Sequence, residues 1–121
     1  MAKVFLDTNF FIDLVEERQP IDISQFSIHQ VFISPLSVHI LCYVMKRKVP
    51  YKKLLDAIEK FSLVPFNELV FQESMISPSN DFEDNVQLNS AAGVDCDFFL
   101  TRDKKLLKMK FFGRVRIVEE L

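Results

Sequence analysis

Glycine is nearly missing from this chain: there are 2 in 121 residues. A phosphate-cradling loop or a dinucleotide fingerprint needs several glycines in close succession, so both are excluded. Tryptophan is absent, and the 2 histidines and 2 cysteines have no zinc-knuckle or redox spacing. Cys42 and Cys96 each lie in apolar surroundings and are expected to be buried, reduced thiols. No run approaches the roughly 18 apolar residues of a membrane span. Asp7, Asn9 and Asp13 interrupt the amino-terminal apolar segment before it can resemble a secretion signal. A cytoplasmic protein with no membrane partner is expected.

What the chain does have is phenylalanine, 13 in all, within a hydrophobic fraction of 49% and a charged fraction of 26%. That composition suits one globular domain, here residues 1–121, with a well-filled core. The net charge of −2 says little, but the charges are segregated. Between Arg102 and Arg116 lie seven basic residues and one acid, Asp103, and a second basic group is Lys46, Arg47, Lys48, Lys52 and Lys53. Such segregation suits an acidic centre flanked by phosphate-attracting surface.

Periodicity predicts alternating strands and helices. Lys3 to Leu6 reads as a buried strand leading into a helix that Thr8 is placed to cap. A short helix is expected over Ile23 to Ile28 and a strand over Val31 to Ile33. Ser34-Pro35 opens a helix expected to reach the basic residues at 46–48. A helix from Tyr51 to Phe61, a strand from Ser62 to Val64 and a helix from Asn67 to Ile76 follow. Asp81 opens a helix ending at Gly93, and Phe98 to Leu100 is a strand. Thr101-Arg102-Asp103 leads into a short basic helix, and Val115 to Val118 is the final strand. Short apolar strands between helices point to a three-layer α/β/α fold with a mainly parallel sheet covered on both faces.

Ligand sites in such sheets lie beyond the carboxyl ends of the strands. Asp7 follows the first strand and Asp103 the strand at Phe98 to Leu100. Asp81 and Asp84 stand three apart at a helix start, on one face. Carboxylates gathered at one point repel, and a divalent cation relieves them. An all-oxygen set without His or Cys favours Mg²⁺ or Mn²⁺. Helix capping alone accounts for any one of these acids. It accounts poorly for all of them at strand ends together.

Three stretches carry a more specific likeness. VFLDTNFFIDL resembles the amino-terminal motif of the PIN domain family, a strand followed by Asp-Thr-Asn. ISPLSVHIL resembles the family's segment from a strand through serine into a helix. DFEDNVQLNSAAGVDCDFFLTRDKKL resembles its carboxy-terminal pair, an aspartate at a helix start and an apolar strand ending in Thr-Arg-Asp. The matches occur in family order and span nearly the whole chain. Within the family the chain resembles the VapC-like toxin ribonucleases of type II toxin–antitoxin systems. The resemblance implies an endoribonuclease dependent on Mg²⁺ or Mn²⁺, a small antitoxin whose tail occupies the groove, and a homodimer.

Carried over residue by residue, Asp7, Asp84 and Asp103 resemble the metal-binding acids, with Asp81 an accessory ligand or a cap. Thr8, Asn9, Ser34 and Thr101 resemble the supporting polar residues, and His39, Arg102 and Lys104 are candidate substrate contacts. One departure stands out. The family usually carries a glutamate on the helix after the second strand, and Ile40 occupies that position here. Asp81 or Glu83 is placed to compensate. Otherwise the chain is a catalytically weakened module that binds RNA or protein. A receiver-like phosphoacceptor is disfavoured, because Asp7 is followed by Thr8 instead of a paired acid, and Val64 by Pro65-Phe66-Asn67 instead of an aspartate.

Overall fold

The computed structural model describes all 121 residues, Met1–Leu121. Six strands form one sheet: β1 (Lys3–Leu6), β2 (Gln30–Ile33), β3 (Ser62–Leu63), β4 (Phe98–Leu100), β5 (Phe111–Phe112) and β6 (Val115–Val118). Their spatial order is β3-β2-β1-β4-β6-β5, and every pair is parallel except β5 with β6. Six helices accompany them: α1 (Thr8–Glu16), α2 (Pro35–Val44), α3 (Lys52–Glu59), α4 (Glu68–Ser74), α5 (Phe82–Gly93) and α6 (Lys104–Met109).

The central strands β1, β2 and β4 bury both faces, as near-continuous apolar runs must. Successive side chains point to opposite faces, so β1 divides its residues between two cores. Val4 and Leu6 join Phe10, Phe11, Ile33, Leu41 and Leu54 on the face covered by α1, α2 and α3. Phe5 joins Phe32, Leu88, Phe99, Leu106 and Ile117 on the face covered by α5 and α6. Phe5 and Phe99 lie opposite each other in the β1–β4 register, and their rings stack with centroids 5.5 Å apart. Both are fully buried, each stabilising the fold by about 1.5–3 kcal/mol through area removed from water.

Several expectations are corrected. Asp7, not Thr8, is the N-cap of α1: its backbone is extended (φ −60°, ψ 152°), whereas Thr8 is already helical. The expected helix at Ile23 to Ile28 is one 3₁₀ turn, Ile23–Phe26, capped by Asp22. Helix α2 stops at Val44, before the basic residues, and Lys46 has a positive φ of 53°. The strand β5 was not expected. Its two residues turn back on β6 through Gly113, whose φ of +59° suits a residue without Cβ. Cys96 is buried, but Cys42 is only half-buried against the first core.

Beginning at β1, the chain winds outward through β2 and β3 on one side, then returns to place β4 on the other. The carboxyl ends of β1 and β4 are therefore the topological switch point, where open α/β sheets leave a crevice.

Candidate active site

Asp7 is the first residue past β1, and its backbone N–H still donates to Leu100 O at 3.0 Å, which ties it to the end of β4. Its side chain is held at both oxygens. Oδ1 accepts from the Thr8 N–H at 2.8 Å, and Oδ2 accepts from the Thr101 hydroxyl at 2.7 Å. Thr101 Oγ1 in turn accepts from the Asp103 N–H at 3.0 Å. One fully buried hydroxyl thus fixes the first acid's rotamer and the backbone of the last acid. Asp103 caps α6 by accepting from the Lys105 N–H at 2.8 Å.

Helix α5 delivers the other acids. Asp81 is its N-cap, with Oδ1 accepting from the Asp84 N–H at 3.0 Å, so this carboxylate is engaged as a cap. Glu83 and Asp84 follow in the first turn. Burial first, then the charges of Asp81, Asp7 and Asp103, push the Asp84 carboxyl up to about 6, against a smaller opposing effect of Lys105. Asp7 is also pushed up to about 6, chiefly by burial and further by Glu83 and Asp103, against the lowering effect of its bonds to Thr101 and Thr8. Glu83 is raised as well, by burial and then by Asp84 and Asp81. These acids come from three distant stretches of sequence, and several sit within one another's field.

As the side chains stand, no three of them close into a ready-made cage for an ion. The donor set still fits a hard cation. Mg²⁺ keeps several waters and is held by one or two carboxylates plus substrate phosphate, instead of an all-protein cage. Buried Asp7 and half-buried Asp84 and Glu83 crowd one another's charge, which such an ion relieves.

The structure supplies supporting residues that the sequence reading missed. Gln87 is fully buried, and its Oε1 accepts from the Thr8 N–H at 2.7 Å while Nε2 donates to Glu83 at 3.5 Å. A glutamine within the apolar run Val86 to Leu88, one turn past Glu83, was the available signal. The buried hydroxyls of Thr8 and Ser37 lie 2.8 Å apart, which links α1 to α2. Ser34, expected to support the site, instead caps α2 by accepting from the Leu36 N–H at 3.1 Å.

A polar cleft of about 530 Å³ has Asp7, Asn9 and Asp103 among its lining residues, with Arg18 and Arg102 also on its walls. Asn9 is exposed. His39 is exposed on α2, and no hydrogen bond joins it to the acids; Ile40 packs against the first core. Lys104 is exposed at the start of α6, but Lys105 is the lysine whose charge reaches Asp84. Arg114 and Arg116 lie beside the β5–β6 turn at the amino edge of the sheet, since Arg116 pairs in register with Phe98; the Lys110 carbonyl, at the other end of β5, accepts from the Ile117 N–H at 2.9 Å. Arg47 is spent on Glu16, at 2.6 Å, and on the Tyr51 ring.

Compared with protein-family models, the sequence matches that of the PIN domain over residues 3–105. This chain belongs to the PIN domain family. No curated protein matches the sequence. Among solved structures, the PIN domain is similar to a crystal structure of VapBC2 from Rickettsia felis bound to a DNA fragment from their promoter. The similarity has a TM-score of 0.68 at 12% identity, covering 96% of this chain and 97% of the other. At that identity the likeness is one of fold. No helix of this PIN domain is long and apolar enough to cross a membrane.

Proposed function

We propose that this PIN domain is a Mg²⁺- or Mn²⁺-dependent endoribonuclease and the toxin of a toxin–antitoxin pair. One observation carries the reading: Asp7 and Asp84, on separate elements at the switch point, are each raised to about 6 by burial and by the charges of neighbouring acids. A crowded carboxylate pair of this kind costs stability unless an ion shares it.

Asp7, Asp84 and Asp103 hold the cation, with Glu83 beside them in place of the acid that Ile40 replaces. When bound, the ion supplies an activated water and neutralises charge on the scissile phosphate. Thr101 locks Asp7, and Gln87 and Thr8 fix the turn that carries it. Asn9 presents hydrogen-bonding groups to the substrate from the cleft wall. Lys105, Lys104 and Arg102 draw the RNA backbone to the carboxyl edge. The antitoxin partner and a homodimer follow from the family resemblance, as does a cytoplasmic setting.

A second reading has its own support. Ile40 is committed to core packing, and the acids do not close around a point unaided. Both suit a module that binds RNA or protein with catalysis lost. The deciding experiment is incubation of the purified chain with structured RNA and Mn²⁺. Endonucleolytic cleavage that EDTA stops and Asp7→Asn abolishes supports the nuclease. Intact RNA that remains bound at millimolar Mn²⁺ supports the module.

A further inference from the structure

On the α1 side of the cleft, one buried aspartate holds two arginines. Asp13 is 7% exposed. Its Oδ1 accepts from Arg18 Nε at 2.8 Å, and its Oδ2 lies 3.5 Å from Arg102 Nη1. Arg102 also donates to Gln19 Oε1 at 3.1 Å, and its guanidinium lies 4.9 Å from the Phe10 ring centroid. Both guanidiniums are thereby oriented, yet both arginine side chains remain about one third exposed, at 35% and 34%. They share the cleft with Asp7 and Asp103.

The charges do not cancel. One carboxylate faces two guanidiniums, so this cluster carries a net positive charge in a cleft that Asp7 and Asp103 also line. The terminal Nη atoms of Arg18 bond to no protein acceptor. A helix-end clasp is satisfied by one arginine, and exposed ion pairs add little stability. The second arginine comes from the Thr-Arg-Asp segment, far away in sequence. Its Nη1 is oriented by Asp13 and Gln19 and its Nη2 donates to Pro20 O at 3.5 Å, which sets a part-exposed guanidinium of the kind that pairs with phosphate.

We propose that Arg18 and Arg102, held in place by Asp13, form a phosphate subsite that grips the RNA backbone beside the scissile linkage. Asp13 is a positioning residue: it touches no substrate and sets the two guanidiniums. The inference rests on reading the cleft as an RNA site. It specifies which wall the strand follows, and it adds Arg18, outside the family motifs, to Arg102 of the Thr-Arg-Asp segment.

Binding of a short single-stranded oligoribonucleotide, followed by fluorescence anisotropy in EDTA over a KCl series, tests it. Each lost phosphate contact on a single strand flattens the plot of log K against log[KCl] by about 0.7. Arg18→Gln and Arg102→Gln should each show that flattening. Lys60→Gln should not, because Lys60 precedes β3 at the amino edge of the sheet. Arg18→Lys keeps the charge and should restore the slope, which separates a lost contact from a damaged fold. Asp13→Asn should leave the slope in place but lower kcat with Mn²⁺ more than it changes KM. Unchanged slopes in both glutamine variants, with RNA still bound, would overturn the subsite alone. Failure of the unaltered chain to bind RNA would overturn the subsite and the nuclease reading together.

Discussion

The Thr101 hydroxyl donates to Asp7 Oδ2 at 2.7 Å across 94 residues of sequence, joining the end of β4 to the acid that follows β1. The same oxygen accepts from the Asp103 N–H. Thr101→Val removes both bonds while nearly preserving shape. The variant should lose about 1–3 kcal/mol of stability, because buried polar groups are left without partners. Its affinity for Mn²⁺ should also fall, since Asp7 is no longer held in one rotamer. Chemical denaturation and Mn²⁺ calorimetry check the two effects.

Asp7 and Asp84 carry folded-state values of about 6 against an unfolded value of 3.8. Between those values the folded chain binds more protons than the unfolded chain. Their contribution to stability therefore falls as pH rises from about 4 through 6 and stays low above it. Asp7→Asn should melt higher than the unaltered chain in EDTA at pH 7.5, and that advantage should shrink towards pH 4.5. Mn²⁺ at pH 7.5 should raise the melting temperature of the unaltered chain only. Scanning calorimetry reads all of these, and an Asp7→Asn variant less stable at both pH values would contradict the account.

Glu83 and Asp81 should part company. Asp81 serves α5 as its cap, and asparagine caps nearly as well as aspartate. Asp81→Asn should therefore change stability little, and should weaken Mn²⁺ binding less than the loss of Glu83, since its carboxylate is engaged as a cap. Glu83→Gln should weaken Mn²⁺ binding clearly, because Glu83 lies within the field of Asp7. Calorimetric titration of the two variants side by side tests the contrast.

Ile40 packs against the core, at the position where the resemblance to the family implies an acid. Ile40→Glu should cost the metal-free chain about 1–2 kcal/mol through lost burial and desolvation. It should also tighten Mn²⁺ binding if the position faces the acids as the resemblance implies. Unaltered Mn²⁺ affinity would favour the binding-module reading.

Much of this was open to a reader of the chain alone. The strands at Lys3–Leu6, Phe98–Leu100 and Val115–Val118 announced themselves as short apolar runs, and the acids beyond two of them marked the switch point. What escaped has physical causes. The two-residue β5 carries too little pattern to register, and its partner is antiparallel in a sheet otherwise built by crossovers. Asp-Thr offers two good capping residues in succession, so sequence pattern alone does not choose Asp7 over Thr8 as the cap of α1. Gln87 and Ser37 are ordinary letters in their helices, and only the packing of α1 against its neighbours brings them to Thr8. Basic residues adjacent in sequence were dispersed by the β5–β6 turn, which carries Arg114 and Arg116 to the opposite edge of the sheet.

The proposal that Asp7, Asp84 and Asp103 hold one cation is tested most directly by anomalous diffraction from manganese-soaked crystals. A single strong peak is expected at the carboxyl edge between β1 and β4, within ligand or water-bridged distance of all three carboxylates. A peak elsewhere, or none at saturating Mn²⁺ and neutral pH, would contradict it.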